Sequence, residues 1–176
     1  MWGFFMTRIG VSLGALFLSL LAVPAWADLP SCNDAQGNPI SMNDSQVLQW
    51  KQTEPNGWHG RGNIDGTVIS VEPDHSGHNH FIVQIGPNAQ TDIIELIYNY
   101  EFGTLPEIDV GMEVQACGDF IQSIAQNGPY AASPAGAILH WVHGDPRHHH
   151  PDGYVAVNGT AYGFDFTNAG RGGTGY

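Results

Sequence analysis

The chain has 176 residues, only 12 % of them charged, with 17 acidic side chains against five basic ones and a net charge of −12 with histidine neutral. That length fits one domain with appendages. The acid excess excludes a protein that gains its affinity from basic patches on nucleic-acid phosphates or anionic lipid, and 23 glycines with 11 prolines point to turns and short strands.

Residues 1–27 read as an export signal. Arg8 is the one charge, Ile9 to Val23 is apolar apart from two Ser and two Gly, and Ala25-Trp26-Ala27 is a small-x-small cleavage site. The apolar run is too short for a membrane anchor, which needs about 20 helical residues. Leu29-Pro30-Ser31-Cys32 loosely resembles a lipoprotein box, but Pro30 and the intervening Asp28 argue against lipidation. The mature protein is therefore expected in the periplasm or outside the cell, with no stable membrane span after cleavage. It keeps 149 residues, with 17 acids against 4 bases for a charge of −13, enough chain to bury one ordinary core.

Residues 28–43, rich in Pro, Asn and Gly, predict an extended arm. Asn43-Asp44-Ser45 offers helix caps, and Val47, Leu48 and Trp50 form the apolar stripe of a short helix ended by Glu54-Pro55-Asn56-Gly57. Periodicity then changes to two. Strands are predicted over Thr67–Val71, after a bend at Gly60, Gly62 and Gly66, then over His80–Ile85, Ile93–Tyr98, Met112–Phe120 and Ala137–Val142. In the fourth, Met112, Val114, Ala116 and Phe120 share one face, which leaves Cys117 on the polar face with Glu113, Gln115 and Asp119. An arm laid across that face would bring Cys32 to Cys117, the only two cysteines, and in an oxidising compartment an even pair is most simply a disulfide. Asn158-Gly159 between Tyr154–Val157 and Thr160–Tyr162 is the strongest hairpin signal in the chain. The whole predicts a mainly β protein: a small five-stranded OB-like barrel with one short N-terminal helix and a C-terminal β-hairpin over residues 44–166, then a Gly-rich tail over 167–176. A β-sandwich is the alternative, for which five strands are few.

Eight of the nine histidines fall in two stretches, His75 to His80 and His140 to His150. Imidazole with carboxylate suits zinc, copper, nickel or iron(II). Residues three apart on a straight strand point to opposite faces, so His140 and His143 can share an ion only if the chain leaves the sheet after the fifth strand. Gly144-Asp145-Pro146 is suitable turn chemistry for that. His143, Asp145 and His150 flank the turn and are the leading candidate ligands, with His78 or His140 completing the shell. At least two of His148, His149 and His150 are expected in solvent, and His140, sharing a face with Ile138 and Val142, reads first as a hydrogen-bonded core histidine. No nucleophile elbow and no phosphate-cradling glycine loop is present.

The run His140-Trp141-x-His143-x-Asp145-Pro146 followed by His150-Pro151-Asp152-Gly153-Tyr154, with His78-Asn79-His80-Phe81 and Val110-Gly111-Met112-Glu113-Val114, resembles a family of small exported bacterial proteins catalogued as domain of unknown function 3465. The resemblance covers roughly residues 45 to 163. It carries no established activity, but it singles out His78, His140, His143, Asp145 and His150, and with them Asn99, from the other polar residues. Two features depart from the family pattern: Tyr98-Asn99 stands where a His-Asn pair is expected, and Ile121 to Gly136 is an insertion-like loop. If the barrel holds, entry to the second strand and exit from the fifth lie at one rim.

Three functions follow as expectations. The first is an exported module binding a transition metal, zinc or copper, through the His/Asp cluster. The second is a non-enzymatic envelope protein binding glycan or peptide on an aromatic patch of Trp141, Tyr98 and Tyr154. The third is a metal-assisted hydrolase, with Asp152 or His140 as acid or base.

Overall fold

A computed structural model describes residues 29–167; the export signal and most of the Gly-rich tail lie outside the described residues. One helix, α1 (Asp44–Thr53), precedes seven strands: β1 (His59–His75), β2 (His78–Gln84), β3 (Ile93–Asn99), β4 (Glu113–Gln122), β5 (Ala137–His140), β6 (Tyr154–Val157) and β7 (Thr160–Tyr162). They form one sheet in the order β1-β2-β3-β5-β4-β6-β7, and a further β1–β4 pairing closes the first five into a ring. All pairings are antiparallel except the short β3–β5 contact, where Glu95 and Leu96 face Ile138 and Leu139. No described helix is long and apolar enough to cross a membrane.

The first strand corrects the sequence reading. The glycine-rich stretch taken as a bend before Thr67 is strand from His59 onward. It pairs with β4 over His59–Thr67 and with β2 over Thr67–His75, so one long coiled strand serves two neighbours. The glycines permit this close approach: a Cβ at Gly66 would collide with the carbonyl oxygen of Gln84. Glycine depresses strand propensity, which hid the segment from a periodicity argument.

Inside the ring pack Ile64, Val68, Phe81, Leu96, Phe120 and Leu139, all essentially without solvent exposure. From α1, Val47 joins this core, and Trp50 leans on Trp58 and Phe120 at ring-centroid distances of 5.1 and 5.5 Å. Asn43 stands at the helix N-cap, yet its side chain makes no capping bond. Its Oδ1 instead accepts the Asn63 N–H at 2.7 Å and its Nδ2 donates to the Arg61 carbonyl at 3.1 Å, tying the helix start to β1.

Cys32 and Cys117 are disulfide-bonded, 5.5 Å apart at Cα and 85 residues apart in sequence. Cys117 does lie on the face of β4 that turns away from the core, and the arm covers it: Leu29, Ile40, Tyr154 and Ala156 pack around the bridge. Arg61 fastens the same flank, donating to Asp119 at 2.7 Å and to the carbonyls of Asn33, Pro151 and Asp152. The closing hairpin turns through Asn158 and Gly159, both at positive φ (49° and 78°) as a two-residue type I′ turn requires.

Candidate functional site

Strand order brings the two histidine stretches together. β2 begins at His78, opposite Asn99 at the end of β3. β5 runs parallel to β3 and ends at His140, so the start of β2 and the ends of β3 and β5 share one rim. Core residues alternate along these strands: Phe81 and Val83, Leu96 and Tyr98, Ala137 and Leu139 point inward. His78, His80, Glu95 and His140 therefore occupy the outer face. That corrects the reading of His140 as a core residue beside Val142. Its ring lies 5.5 Å from that of His78, while Val142 alone turns into the core.

The reason is Trp141. It has φ 50°, left-handed backbone that a bulky residue seldom adopts. The strand predicted to run to Val142 stops at His140, immediately before Trp141. This reversal removes the geometric objection to His140 and His143 acting on one side of the molecule. It is locked by close packing: a Cβ on Gly153 would collide with the carbonyl oxygens of Trp141 and Cys117. The Gly153 N–H donates to the His143 carbonyl at 2.8 Å and the Gly144 N–H to that of Gly163 at 2.9 Å.

Beyond the reversal, Asp145 organises the loop. Its carboxylate accepts the N–H groups of Arg147 (2.8 Å), His149 and His150 (3.0 Å), while its own N–H donates to Asp152 Oδ1 at 2.7 Å. Burial works to raise its pKa, but these three bonds outweigh burial and hold it below the ordinary value. Asp145 thus acts as a main-chain cap, with His150 Nε2 3.9 Å from Oδ2. His148 and His149 are exposed, whereas His150 folds back so that its ring meets His143 edge-on at 5.1 Å and Trp141 at 5.7 Å. Phe102 stacks on the other side of His143 at 3.6 Å.

Three of these imidazoles are oriented alike. Nδ1 of His78 lies 2.8 Å from the Ser76 carbonyl, that of His143 2.8 Å from the Gly144 carbonyl, and that of His150 2.9 Å from the Pro151 carbonyl. A carbonyl only accepts, so in each ring Nδ1 carries the hydrogen and the lone pair of the neutral ring sits on Nε2. Burial is the main force on the protonation of three rings. It lowers His78, pushes His143 down to about 4, and pushes His140 down to about 3, with neighbouring imidazoles adding to the effect on His140. His78, His140 and His143 are therefore neutral imidazoles at pH 7.

Sequence reasoning missed one feature of the rim. His80 shares the outer face with His78, two residues away, and its Nδ1 is 2.8 Å from Glu95 Oε1 in a buried pair. The signal available was the His-x-His spacing, which puts both rings on one face of a strand. The expected aromatic patch is absent in the form predicted: Tyr98 is fully buried, its hydroxyl donating to the Gly103 carbonyl at 2.9 Å, and Tyr154 lies beneath the arm. Asn99 uses its side chain to accept the Glu101 N–H at 2.9 Å, ordering the turn that carries Phe102. Among the described residues, no three His, Cys, Asp or Glu side chains converge as placed on a point where one ion could be held.

Fold and rim together define a small disulfide-bonded β protein with a histidine-lined outer edge. The model of the family described as "Protein of unknown function (DUF3465)" matches residues 35–163, and the chain belongs to that family. The matched span runs from the arm through β7 and takes in every rim histidine. No curated protein matches the chain.

Proposed function

We propose that the protein is an exported module, periplasmic or secreted, that binds one zinc or copper ion through His78, His140, His143 and His150. The observation that carries this reading is the shared orientation of His78, His143 and His150. Each has its Nδ1–H held by a main-chain carbonyl, the outer-shell arrangement that fixes a metal-ligating histidine. Neutrality at pH 7 is the second requirement for ligation, and burial supplies it for His78, His140 and His143. Spacing agrees as well. With metal–nitrogen bonds of about 2.0–2.1 Å, two rings at a tetrahedral angle around one ion have centroids about 5 Å apart. His143 and His150 are 5.1 Å apart, and His78 and His140 5.5 Å. Binding draws the two pairs onto a common centre, and Asp145 stays a loop cap in place of the ligand role its sequence position suggested.

The five-strand ring, with its long coiled first strand shared between two neighbours, is read as an OB-like barrel that sets the rim histidines at one edge. The export reading rests on residues 1–27. Elemental analysis of untagged protein recovered from the periplasm tests both at once: the His143→Ala/His150→Ala double variant is expected to contain one equivalent of zinc or copper less than the parent protein. Equal metal content in the two proteins overturns the proposal.

A further inference from the structure

We infer that His80, held by Glu95, anchors a second transition-metal position, completed by His75. None of its donors belongs to the four-histidine position proposed above. The starting observation is an orphaned atom. His80 is 4 % exposed and its Nε2 is buried with no hydrogen-bond partner. Two other buried side-chain atoms among the described residues share that condition, the amide oxygens of Asn63 and Gln122. Both belong to amides whose nitrogens are tied to main-chain carbonyls, of Ile40 and Lys51, and so have a structural role. His80 Nε2 is different in kind, because an imidazole nitrogen is a metal donor.

Its tautomer follows from its partner. Glu95 faces the ring with a carboxylate oxygen, which as an ordinary glutamate at neutral pH only accepts. The His80 Nδ1 at 2.8 Å must then carry the hydrogen, and Nε2 presents the lone pair. Carboxylate, imidazole and metal in line form a recurrent arrangement in which the carboxylate orients the ring and raises its basicity. Glu95 also places a negative charge behind the ligand, opposite an incoming cation.

His75 covers the ring. It stacks on His80 at 4.0 Å with 22° between the planes. Stacked rings cannot aim lone pairs at one ion, so His75 has to turn. It is exposed, it is the last residue of β1, and it adjoins a tight turn at Ser76 and Gly77, both at positive φ. Rotation of its side chain crosses no core, uncovers the His80 edge and supplies a second nitrogen. Two imidazoles completed by water make an exchangeable position that favours copper(II) over harder cations.

The test is equilibrium dialysis of the full chain, untagged and previously chelated, against copper(II) or zinc(II). Two ions per chain are expected. His75→Ala, at an exposed position, and Glu95→Gln, which keeps the side-chain shape, bear on this position alone, with folding verified by circular dichroism. His75→Ala is expected to bind one ion, and Glu95→Gln to weaken the second ion about 10–100-fold. His143→Ala/His150→Ala is expected to keep one. A single ion lost in that double variant and indifferent to His75→Ala and Glu95→Gln overturns this position and leaves the four-histidine reading standing. A single ion that survives the double variant but is lost with His75→Ala does the reverse. No bound ion in any protein overturns both.

Discussion

On the flank where the arm crosses β4, Arg61 reaches Asp119 and three main-chain carbonyls beside a disulfide. On the flank formed by the outward faces of β2, β3 and β5, several imidazoles are crowded together, their protonation suppressed, and one nitrogen is buried with nothing to bond. Both flanks belong to the same ring and cover the same core. They differ in what the local interactions achieve. On the first, Arg61 is saturated with partners and fixes the chain. The polar groups on the second oppose stability by desolvation, and local costs of that kind are commonly retained where a site needs them.

The largest test of this contrast is the disulfide. Cys32→Ser/Cys117→Ser opens an 85-residue separation and is expected to lower unfolding free energy by about 2–5 kcal/mol, read by urea denaturation. Metal stoichiometry should not change, because none of the proposed ligands lies on that flank. A change in metal content without a change in folding would merge the two flanks and undo the comparison.

Next in size is the pH dependence of the chelated protein. His78, His140 and His143 have lowered pKa values in the fold and ordinary ones near 6.5 when unfolded. Below about pH 6.5 the unfolded chain takes up protons that the folded chain refuses, so stability is full above that value and falls as the pH drops. The loss continues through about 4, where His143 protonates in place, towards about 3 for His140. A decline on the order of 2–4 kcal/mol between pH 7 and pH 4 is expected in urea titrations. His140→Leu should flatten the curve; an unaltered slope would show that the rim is not its source.

Much of this architecture was legible from residue patterns. Alternation in β4 placed Cys117 away from the core and so brought the arm across it. Asn158-Gly159 announced its hairpin because its φ demands are met by few other dipeptides. The first half of β1 was hidden, since its strand character comes from pairing with β4 and its glycines from close approach, neither of which is a local propensity. At the rim, the two histidine stretches were visible as sequence clusters, but their meeting depends on β5 lying beside β3, a long-range pairing. The backbone reversal at Trp141 has no local signature either: glycine would advertise it, and tryptophan conceals it. Asp145 reads as a ligand in the sequence because a carboxylate between histidines has the same composition whether it binds a cation or main-chain N–H groups.

Asp145 therefore separates loop architecture from ligation. Asp145→Ala frees three main-chain N–H groups and is expected to cost about 1–3 kcal/mol. With the loop loosened, metal affinity falls while the ion count stays unchanged. Loss of one full equivalent of metal, with the fold intact, would return the carboxylate to the ligand set.

The smallest expected effect on stability is also the most diagnostic. Trp141→Gly relieves a left-handed backbone that costs a non-glycine residue about 1–2 kcal/mol. It also removes an indole whose ring lies 5.1 Å from that of His140, 5.7 Å from His150 and 6.2 Å from His59. These terms oppose each other, so the net change in unfolding free energy should stay within about 1 kcal/mol. Metal binding should respond differently. Glycine keeps the reversal available but no longer enforces it, and His140 and His143 then reach a common side only in part of the population. Apparent affinity falls by that fraction. Trp141→Phe keeps an aromatic ring and, with it, most of the affinity. If glycine and phenylalanine bind metal as well as tryptophan does, the reversal merely ends β5 and has no part in assembling the imidazoles.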